Sequence, residues 1–596
     1  MPSSPSRLST RVAELRAMGR LLRHGSRALR PSSPWNASKL LAERAERAPD
    51  APGLLYRDRR YTWRELDESV DRMASALQDA GVGPGDVVSL VMDNRPEFLL
   101  AVTALSRLRA VAALVNTHLT GAPLEHAIGV AGPRLVLVGS EHAERVAALP
   151  APGGLGREAI LVCGDPDDAE LRGGEGLGDF DALVAAAVGS PREVGAPRAD
   201  ECMCYIYTSG TTGLPKAAII RNSRWLLAGA LFGSSVLELG PGDVVYIPLP
   251  LYHSNAMFAG WGGALVTGAC MALRRKFSAS QFWSDVQRFD ASTFVYIGEL
   301  CRYLLNQPER PEERAHRLRV ITGNGLRPDI WERFQERFRI PLIREFYGAT
   351  EGNAPLVNMM GRPGMVGRLQ PSQTVVRCDL ESGAILRDAD GRCERARPGE
   401  TGLLLGRISR ITRYDGYLDA EATQRKIVPG AFREGDRWFD SGDLVTLHED
   451  GWIAFADRVG DTFRWKGENV STHEVSELLS EAPGVLESNV YGVQVPGTDG
   501  RAGMAALRCG SGFTLEALAK TVLEKLASYQ RPYFVRLLGD EMRVTGTFKH
   551  QKVDYRHEGW DPTQVADPLY FFDGERYVPL DAELCEAIES GRVALR

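Results

Sequence analysis

The sequence lacks several features that mark specialised classes of protein. Its 71 lysines and arginines are outnumbered by 77 acidic residues, whereas a dedicated nucleic-acid binder usually carries a basic excess. Its nine cysteines form no CxxC pair, which argues against a zinc-finger spacing and against a disulfide framework. These absences predict a protein of a reduced, cytoplasmic compartment that does not bind nucleic acid.

Long apolar runs are also scarce. Residues 1–35 contain no continuous apolar core, so no secretory signal is predicted. The uncharged stretch from Asn255 to Leu273 is nominally long enough to span a bilayer. Four glycines interrupt that stretch: Gly260, Gly262, Gly263 and Gly268. We therefore expect a buried helix followed by a core strand there, and no transmembrane span.

The N-terminal segment, residues 1–36, is basic and amphipathic. On a helix, its large apolar side chains fall on one side and most of its arginines on the other: Leu8, Val12, Leu15, Met18, Leu22 and Leu29 against Arg16, Arg20, Arg23 and Arg27. Such a helix can lie on an anionic membrane surface, which would place the protein peripherally at the inner face of a membrane. An amphipathic helix docked on the body of the protein has the same pattern, so both interpretations stay open.

The rest of the chain predicts an α/β fold. With 596 residues it is longer than one hydrophobic core usually supports. Short β-branched runs alternate with helical patterns: Asp86–Met92, Leu135–Val138, Ala159–Val162, Val244–Pro248, Thr293–Ile297 and Arg319–Thr322. This alternation predicts mostly parallel strands covered by helices on both faces. A smaller α+β region follows, with strands expected at Asn489–Val495, Arg501–Cys509 and Phe534–Leu538 and a helix at Leu515–Leu526.

The most informative motif is Thr208-Ser-Gly-Thr-Thr-Gly-Leu-Pro-Lys216. Gly210 and Gly213 allow backbone N–H groups to turn toward an anion, and Lys216 adds a mobile positive charge. Hydroxyl donors come from four further residues: Thr208, Ser209, Thr211 and Thr212. The spacing differs from that of a Walker A loop, and the lysine is followed by alanine rather than serine or threonine. The motif therefore predicts a phosphate-binding loop and disfavours a P-loop kinase or ATPase.

The phosphate loop resembles that of the adenylate-forming superfamily, which comprises acyl-CoA synthetases, adenylation domains and luciferases. Four more motifs follow in that family's order: Thr322-Gly-Asn-Gly-Leu326, Tyr347-Gly-Ala-Thr-Glu-Gly352, Phe439-Asp-Ser-Gly-Asp443 and Asp457-Arg-Val-Gly-Asp461. The resemblance extends over roughly residues 37–590. It implies ATP and Mg²⁺ in the first half of a reaction and coenzyme A as the acceptor in the second.

The resemblance also implies roles for single residues. Residues on the adenine and phosphate side are Gly323, Asn324, Tyr347, Gly348 and Thr350, together with the phosphate loop. Glu351 is implied as the magnesium ligand, a role that suits a hard carboxylate oxygen. Asp443 and Arg458 are implied as the contacts to the ribose. The implied catalytic residues are Lys216, Thr350, Glu351 and Lys549.

The C-terminal part is implied to be a separate, mobile domain. We expect the N-terminal adenylation domain to cover 37–459 and the mobile domain 460–596. The implied pivot falls at Gly460, where the superfamily commonly has Asp or Lys, and glycine tolerates large dihedral changes. Lys549 is implied to orient the carboxylate and the α-phosphate, and Lys466 to line the path of coenzyme A.

Sequence segments that extend beyond the shared motifs indicate one branch of the superfamily. Several segments resemble the fatty acid transport protein and very-long-chain acyl-CoA synthetase branch: Glu345–Asn353, Tyr414–Lys426, Asp457–Thr472 and Val544–Lys552. This resemblance implies a long-chain or very-long-chain fatty acid–CoA ligase. Candidates for contact with the acyl chain are His253, Trp261 and Gly298, and the glycines beside Trp261 suggest an apolar channel.

Two alternatives stay open. An acyl-AMP ligase that delivers its product to a carrier protein needs the same motifs. A lipid-binding or uptake protein without turnover is the alternative from another class, although the presence of Lys216, Glu351, Asp443, Arg458 and Lys549 together argues against it. The oligomeric state cannot be inferred from the sequence.

Overall fold

The architecture comes from a computed structural model. It describes residues 7–28, 30–150, 152–167, 176–187, 189–208, 214–380, 382–465, 468–498, 500–539, 542, 552–593 and 595. The chain forms two compact units. The first unit contains Met1–Leu326, Phe334–Arg362 and Ile408–Ile427, and the second contains Arg327–Arg333, Pro363–Arg407 and Val428–Arg596. The predicted boundary at 459/460 is not a boundary of this division and stays a prediction.

Helices occur throughout both units. Within the described residues the α-helices are α1 (Arg7–Gly25), α2 (Ala37–Arg47), α3 (Trp63–Asp79), α4 (Pro96–Arg107), α5 (Gly121–Gly129), α6 (Ala143–Ala147), α7 (Phe180–Ala186), α8 (Asn222–Gly229), α9 (Gly263–Thr267), α10 (Phe282–Arg288), α11 (Gly298–Leu305), α12 (Pro328–Arg337), α13 (Ala420–Arg425), α14 (Thr472–Leu479), α15 (Leu515–Lys525), α16 (Lys552–Glu558) and α17 (Ala582–Glu589). Two π-helical segments, Ala230–Val236 and Asn255–Gly262, directly follow α8 and precede α9, respectively.

The strands are numbered in the same way. They are β1 (Pro52–Tyr56), β2 (Arg59–Thr62), β3 (Val87–Val91), β4 (Val111–Leu114), β5 (Leu135–Gly139), β6 (Ile160–Cys163), β7 (Gly178–Asp179), β8 (Cys202–Thr208), β9 (Lys216–Arg221), β10 (Val244–Ile247), β11 (Cys270–Leu273), β12 (Thr293–Ile297), β13 (Ile321–Asn324), β14 (Ile343–Tyr347), β15 (Leu356–Val357), β16 (Gly367–Arg368), β17 (Gln373–Val376), β18 (Thr401–Arg407), β19 (Ile427–Pro429), β20 (Arg437–Leu447), β21 (Trp452–Arg458), β22 (Phe463–Trp465), β23 (Glu468–Val470), β24 (Val485–Val493), β25 (Ala502–Cys509), β26 (Phe534–Leu538), β27 (Leu569–Phe572) and β28 (Tyr577–Pro579).

The first unit is built on two largely parallel sheets. One has the order β7-β6-β5-β3-β4-β8-β9, and only the final β8–β9 pair is antiparallel. The other has the order β15-β14-β13-β12-β10-β11-β1-β2, with antiparallel pairs only at its two edges. Central strands such as β4 and β5 are buried along their whole length. This burial explains why their sequences are continuous apolar runs rather than alternating ones.

The second unit is mainly antiparallel. One sheet has the order β16-β21-β20-β18-β17, with β19 paired to β20, and another has the order β24-β25-β26-β27-β28. In the latter only β25 and β26 run parallel, and its core includes Phe534, Tyr491 and Trp465. A two-stranded ladder, β22–β23, lies between these sheets in sequence.

Most predicted elements are present. Strand β12 has the predicted bounds, and the strand predicted at Arg319–Thr322 is β13, which begins two residues later. The stretch from Asn255 forms a π-helical segment, α9 and then β11, so the prediction of a helix followed by a core strand is confirmed. Among the described helices, none combines the length and apolarity needed to cross a bilayer.

The N-terminal helix α1 packs on the first unit in an unexpected orientation. Ala17 lies on its inward side and is buried. The Ser235 hydroxyl, in the segment Ala230–Val236, donates to the Ala17 carbonyl at 2.8 Å. Arg20 also faces inward and forms an ion pair with Glu238 at 2.9 Å. A stripe of large apolar side chains is instead turned outward: Leu15, Met18 and Leu22. Within residues 15–25, where the side chains are described, the helix therefore docks through Ala17 and Arg20 and leaves Leu15, Met18 and Leu22 exposed.

Candidate active site

The predicted phosphate loop connects two antiparallel strands. Thr208 ends β8 and lies directly opposite Lys216, which begins β9. The register therefore holds one hydroxyl and one ammonium group side by side where the loop leaves the sheet. At the loop's end, the His126 ring lies 3.1 Å from the Pro215 carbonyl. The intervening residues Ser209, Gly210, Thr211, Thr212 and Gly213 lie outside the described part of the chain.

A distant segment extends the sheet beside β9. Backbone hydrogen bonds join Ile219 N–H to the Gly416 carbonyl at 3.0 Å and Leu418 N–H to the Ala217 carbonyl at 3.0 Å. The segment thus forms a short extra ladder on β9, reinforced by an ion pair between Arg221 and Asp415. Tyr417 lies between Gly416 and Leu418 on this ladder, opposite Ala218 of β9. It is therefore close to the hairpin that holds the phosphate loop.

Tyr417 links that hairpin to the second motif. Burial raises the pKa of its hydroxyl, the nearby Glu351 carboxylate raises it further, and a hydrogen bond with Thr208 opposes the rise. The Tyr417 side chain is thus hydrogen-bonded to both Thr208 and Glu351. Two motifs separated by more than a hundred residues therefore meet at one tyrosine.

The second motif begins where β14 ends. Tyr347 is the last residue of that strand, and Gly348–Gly352 follow as a turn closed by Gly352 N–H donating to the Ala349 carbonyl at 3.1 Å. The Thr350 hydroxyl lies 3.5 Å from the Ser254 hydroxyl. Glu351 is buried, so its carboxylate is shielded from bulk water.

Arg224 on α8 supports the backbone of this motif. Its guanidinium donates to the Glu351 carbonyl at 3.0 Å and to the Ala349 carbonyl at 3.2 Å. Desolvation lowers the pKa of Arg224, while the Glu351 carboxylate opposes that effect. The planar guanidinium can engage two carbonyls at once, a geometry that a lysine does not reproduce. Arg224 thus fixes the turn from which Glu351 projects.

The predicted adenine-side residues Gly323 and Asn324 are the last two residues of β13. The Asn324 side-chain oxygen accepts a hydrogen bond from Asn255 at 2.8 Å. Gly323 lies so close to Tyr296 of β12 that a Cβ atom would be 2.3 Å from the Tyr296 carbonyl oxygen. At Gly298, the first residue of α11, a Cβ atom would be 1.5 Å from the Gly325 carbonyl oxygen. Glycine is required at both positions because backbone and ring occupy the space.

The predicted ribose contacts form a cross-strand pair within the second unit. Asp443 of β20 is directly opposite Arg458 of β21, and the Arg458 Nε atom lies 3.3 Å from the carboxylate. Asp443 is buried whereas Arg458 is half exposed. The neighbouring Asp457 has a different task, since its carboxylate accepts from the Thr472 N–H at 2.8 Å and hydroxyl at 2.9 Å at the start of α14.

Gly460 follows this hairpin with a left-handed backbone, φ +85°. A Cβ atom built there would have no heavy atom within 4 Å, so the backbone conformation rather than crowding favours glycine. The role of Gly460 as a pivot stays a prediction. Lys549, predicted to orient the carboxylate and the α-phosphate, and Lys466, predicted to line the path of coenzyme A, lie outside the described residues.

The candidate acyl-chain residues have mixed surroundings. The His253 ring is partly exposed and lies 4.9 Å from the Tyr252 ring. The Trp261 indole is fully buried and donates to the Thr103 hydroxyl at 3.1 Å. The glycines beside Trp261 are packed closely, since a Cβ atom on Gly260 would be 2.9 Å from Ile247. These contacts give the glycines a packing role, and the apolar channel beside Trp261 stays a prediction.

Several supporting residues were not anticipated from the sequence. Arg224, Ser254, Asn255 and Tyr417 all contact predicted site residues. Ser254 and Asn255 directly follow the singled-out His253, and Tyr417 lies in the segment Tyr414–Lys426 that carries the family resemblance, but neither pattern indicates these contacts. Arg224 carries no local signal, because its partners are distant in sequence.

The residues around Glu351 fit a magnesium ion. The Glu351 carboxylate is hydrogen-bonded to Tyr417, which also contacts the Thr208 hydroxyl, and the adjacent Thr350 hydroxyl lies 3.5 Å from that of Ser254. Oxygen donors of this kind suit a hard divalent cation that also binds phosphate oxygens. The site residues predicted within the first unit are therefore chemically compatible with Mg²⁺ bound to a triphosphate.

Comparison with known proteins gives a consistent result. A family model described as AMP-binding enzyme matches residues 41–413. The chain is 42% identical over 568 residues to the medium/long-chain-fatty-acid–CoA ligase FadD6 of Mycobacterium tuberculosis, covering 94% of this chain and 92% of that protein. It is also 42% identical to human long-chain fatty acid transport protein 1, covering 90% of this chain and 84% of that protein.

Solved structures agree on the fold. The crystal structure of the anthranilate CoA ligase AuaEII in complex with anthranoyl-AMP matches with a TM-score of 0.74 at 23% identity, covering 88% of this chain and 97% of that one. The predicted fold class, a large layered α/β domain with a smaller α+β domain, is thereby confirmed.

Proposed function

The chain belongs to the AMP-binding enzyme family, and on that premise we propose that it is an ATP-dependent fatty acid–CoA ligase acting on long-chain substrates. The resemblance to the adenylate-forming superfamily and to its fatty acid transport protein branch is confirmed. One observation carries the proposal: Tyr417 brings the phosphate hairpin at Thr208 against Glu351. The names of the relatives, a fatty-acid–CoA ligase and a long-chain fatty acid transport protein, support the substrate class.

The proposed reaction has two halves. A free carboxylate is a poor acyl donor because its oxygen is a bad leaving group. In the first half, a carboxylate oxygen attacks the α-phosphorus of ATP, pyrophosphate leaves and an acyl adenylate forms. In the second half, the thiol of coenzyme A attacks the acyl carbon, loses its proton and displaces AMP.

The described residues are suited to the first half. Lys216 and the Thr208 hydroxyl would neutralise and position the triphosphate, and Thr350 would face the α-phosphate. Glu351 would hold Mg²⁺, which supplies charge neutralisation at the phosphate oxygens when bound. In the second unit, Asp443 and Arg458 stay the proposed ribose contacts, because a buried carboxylate is a good acceptor for two hydroxyl donors.

The experiment measures each half separately. Pyrophosphate exchange into ATP should require a long-chain fatty acid, and acyl-CoA should form only when free coenzyme A is added. A panel of fatty acids of increasing length, with aromatic and bile acids, identifies the preferred substrate. Exchange without acyl-CoA would favour an acyl-AMP ligase with a carrier-protein acceptor, and no exchange with any acid would favour a binding or uptake protein.

A matched pair of lysine variants makes the test specific. Lys216→Ala should reduce fatty-acid-dependent exchange by about 100-fold, since a positioned cation at developing phosphate charge contributes on that scale. Lys520 is exposed on α15, with 74% of its side chain accessible, and Lys520→Ala should leave exchange unchanged. Equal activity of both variants would contradict the role proposed for Lys216.

We further propose that α1 contacts an anionic membrane surface. Three large apolar side chains on its outer side are exposed, Leu15 at 71%, Met18 at 49% and Leu22 at 54%. Arg16 and Arg23 are exposed on the same helix. Apolar side chains accompanied by arginines are the pattern of an interfacial helix. The ion pair between Arg20 and Glu238 supports this role, because it allows α1 to dock on the protein without using the apolar stripe.

Vesicle sedimentation tests this contact. The protein should bind vesicles that contain phosphatidylglycerol better than vesicles of phosphatidylcholine alone, and salt should weaken the binding. The triple variant L15S/M18S/L22S should bind about 100-fold less, since each buried apolar side chain contributes on the order of 1 kcal/mol and about 1.4 kcal/mol corresponds to a tenfold change in affinity. Leu523→Ser, at an exposed leucine of α15, is the matched control. Unchanged binding of the triple variant would refute the contact.

A further inference from the structure

Three neighbouring strands of the first unit place a tyrosine, a glycine and a glutamate in one row. Tyr296 of β12 is the register partner of Gly323 of β13, and Gly323 is the register partner of Glu345 of β14. Side chains at paired positions of adjacent parallel strands point to the same face of a sheet. Because the middle position has no side chain, the outer two can meet above it.

The tyrosine and the glutamate are hydrogen-bonded across that glycine. The Tyr296 hydroxyl donates to one carboxyl oxygen of Glu345 at 2.5 Å. The other carboxyl oxygen accepts from the Leu326 N–H at 3.0 Å, and Gly325 N–H adds a further hydrogen bond to the carboxyl. One buried side chain thus holds both the neighbouring strand and the loop that leaves β13.

Burial of this carboxyl group is energetically unfavourable for its ionised form. Glu345 is 3% exposed and Tyr296 is fully buried. The absence of water raises the pKa of Glu345 to about 8, although its hydrogen bonds with Tyr296, Leu326 and Gly325 oppose the rise. Buried polar groups of this kind are stabilising only when their hydrogen bonds are satisfied in one geometry.

The loop held in this way is the predicted adenine-side loop. Its other side is fixed through Asn324, which accepts from Asn255 at 2.8 Å. Gly298 lies against the Gly325 carbonyl so closely that no larger residue fits. The backbone from Gly323 to Leu326 is therefore constrained on three sides, and the Tyr296–Glu345 pair provides the constraint from within the sheet.

We propose that Tyr296 and Glu345 are positioning residues that hold the Gly323–Leu326 loop in the shape that receives the adenine of the nucleotide. The inference rests on the proposed function, since it assumes that this loop faces adenine. It assigns these two residues to the recognition of the base and leaves the phosphates to the hairpin at Thr208 and Lys216.

The test compares two ligands that share phosphate but not adenine. The conservative variant Tyr296→Phe removes one oxygen atom and should weaken AMP binding, measured by calorimetry, about fivefold to tenfold, the loss expected for one buried hydrogen bond. Binding of tripolyphosphate, which has no base, should be unchanged. In turnover assays the KM for ATP should rise while the KM for the fatty acid stays constant.

A second tyrosine offers a matched control. Tyr246 of β10 lies in the same sheet, is equally buried and donates to the Asp285 carboxylate at 3.0 Å, but its partner is on α10 rather than beside the loop. Tyr246→Phe should lower the melting temperature to a similar extent and leave AMP affinity unchanged. Glu345→Gln, which keeps the shape of the side chain, should resemble Tyr296→Phe in AMP binding.

The outcomes are distinguishable. Equal loss of AMP affinity in Tyr296→Phe and Tyr246→Phe would overturn the proposal, and so would parallel loss of AMP and tripolyphosphate binding in Tyr296→Phe. Wild-type protein that binds tripolyphosphate but not AMP would overturn both this inference and the proposed function. Wild-type affinity for AMP in both Tyr296→Phe and Glu345→Gln would overturn the inference alone.

Discussion

The two compact units present their predicted nucleotide contacts on different kinds of sheet. In the first unit, Asn324 and Tyr347 lie at the carboxyl ends of parallel strands, so residues far apart in sequence meet at one edge. In the second unit, Asp443 and Arg458 face each other on adjacent antiparallel strands. Side chains from outside the motifs support the parallel edge, whereas the register of a single hairpin brings Asp443 and Arg458 together.

This difference suggests that the two regions respond differently to substitution. At the parallel edge, Arg224, Tyr417, Asn255 and Glu345 support residues that they are distant from in sequence. In the hairpin, register alone brings the carboxylate and the guanidinium together. In the first unit, we therefore expect substitution of the supporting residues to lower activity. In the second unit, we expect substitution of Asp443 or Arg458 to affect that pair alone.

The largest expected effect is at the proposed metal ligand. Glu351→Gln should lower fatty-acid-dependent pyrophosphate exchange by about 100- to 1,000-fold, because the amide is a weaker ligand for a hard cation and transition-state charge stabilisation is worth that much. The melting temperature should stay close to that of the wild type. A saturating Mg²⁺ titration serves as the control, since partial rescue is expected only if the ligand is weakened rather than the fold disrupted. Full activity of the variant would remove Glu351 from the site.

The next effect tests the support of the parallel edge directly. Arg224→Met removes the donors to the Ala349 and Glu351 carbonyls and should cost roughly 2–3 kcal/mol in the free energy of unfolding, as for lost hydrogen bonds to a charged group. Exchange activity should fall about tenfold or more, because the misplaced turn carries Glu351. Arg224→Lys keeps the charge without the planar fork and should recover only part of both losses. If Arg224→Met changed stability but not activity, the residue would be structural only.

A smaller effect is expected in the hairpin. Asp443→Asn should raise the KM for ATP about tenfold, since a carboxylate accepts stronger hydrogen bonds from hydroxyls than an amide does, while kcat changes less. Asp390→Asn, at an exposed position of the same unit, is the matched control. A double-mutant cycle with Arg458→Lys should show coupling confined to this pair. Coupling between Asp443 and Arg224 of similar size would erase the contrast between the two regions.

The last expected effect concerns the pH dependence of stability rather than catalysis. Because the pKa of Glu345 is raised from 4.5 to about 8 by burial, the folded protein keeps a proton that the unfolded chain has lost between those values. The contribution of Glu345 to stability is therefore fully present below the ordinary carboxyl pKa and declines as pH rises toward 8. The neighbouring titratable groups, Tyr296 and Cys301, both have pKa values raised by burial, so they do not titrate in this window.

Urea unfolding at several pH values measures this effect. The difference in the free energy of unfolding between wild type and Glu345→Gln should move against the wild type as pH rises from about 5 to about 8. Glu524→Gln, at an exposed position of α15, should show no such trend. A pH-independent difference for Glu345→Gln would mean that the carboxyl group titrates normally in the folded protein.

Local patterns were sufficient for many elements. The run Thr293–Ile297 forms strand β12 as predicted. Short β-branched runs of this kind are typical of strands that are buried on both faces of a sheet. The capping box at Thr62 and Glu65 starts α3, since both of its hydrogen bonds lie within one turn. The phosphate loop was recognised from its own residue types, whereas the pairing of Thr208 with Lys216 at its base became visible only in the sheet.

Side-chain surroundings were harder to predict. Trp261 was a candidate for the acyl site, yet its indole is buried against Thr103 and the glycines beside it are closely packed. The orientation of α1 was also beyond the pattern, because periodicity defines which residues share a side but not which side faces the protein. Residues 363–407 and 428–459 belong to the second unit. This assignment depends on tertiary contacts, which no sequence motif indicates.

The sequence alone determined the order of the motifs, the predicted chemistry of Lys216, Glu351 and Asp443, and the alternation of strands and helices. These properties depend on residue type and short spacing, so they can be recognised without coordinates. Only the tertiary structure decided that Tyr417 joins the phosphate hairpin to Glu351, that Arg224 holds the turn, and that Glu345 reaches over Gly323 to Tyr296. Each of these contacts joins residues that are distant in sequence, and such contacts form only when the sheets are assembled.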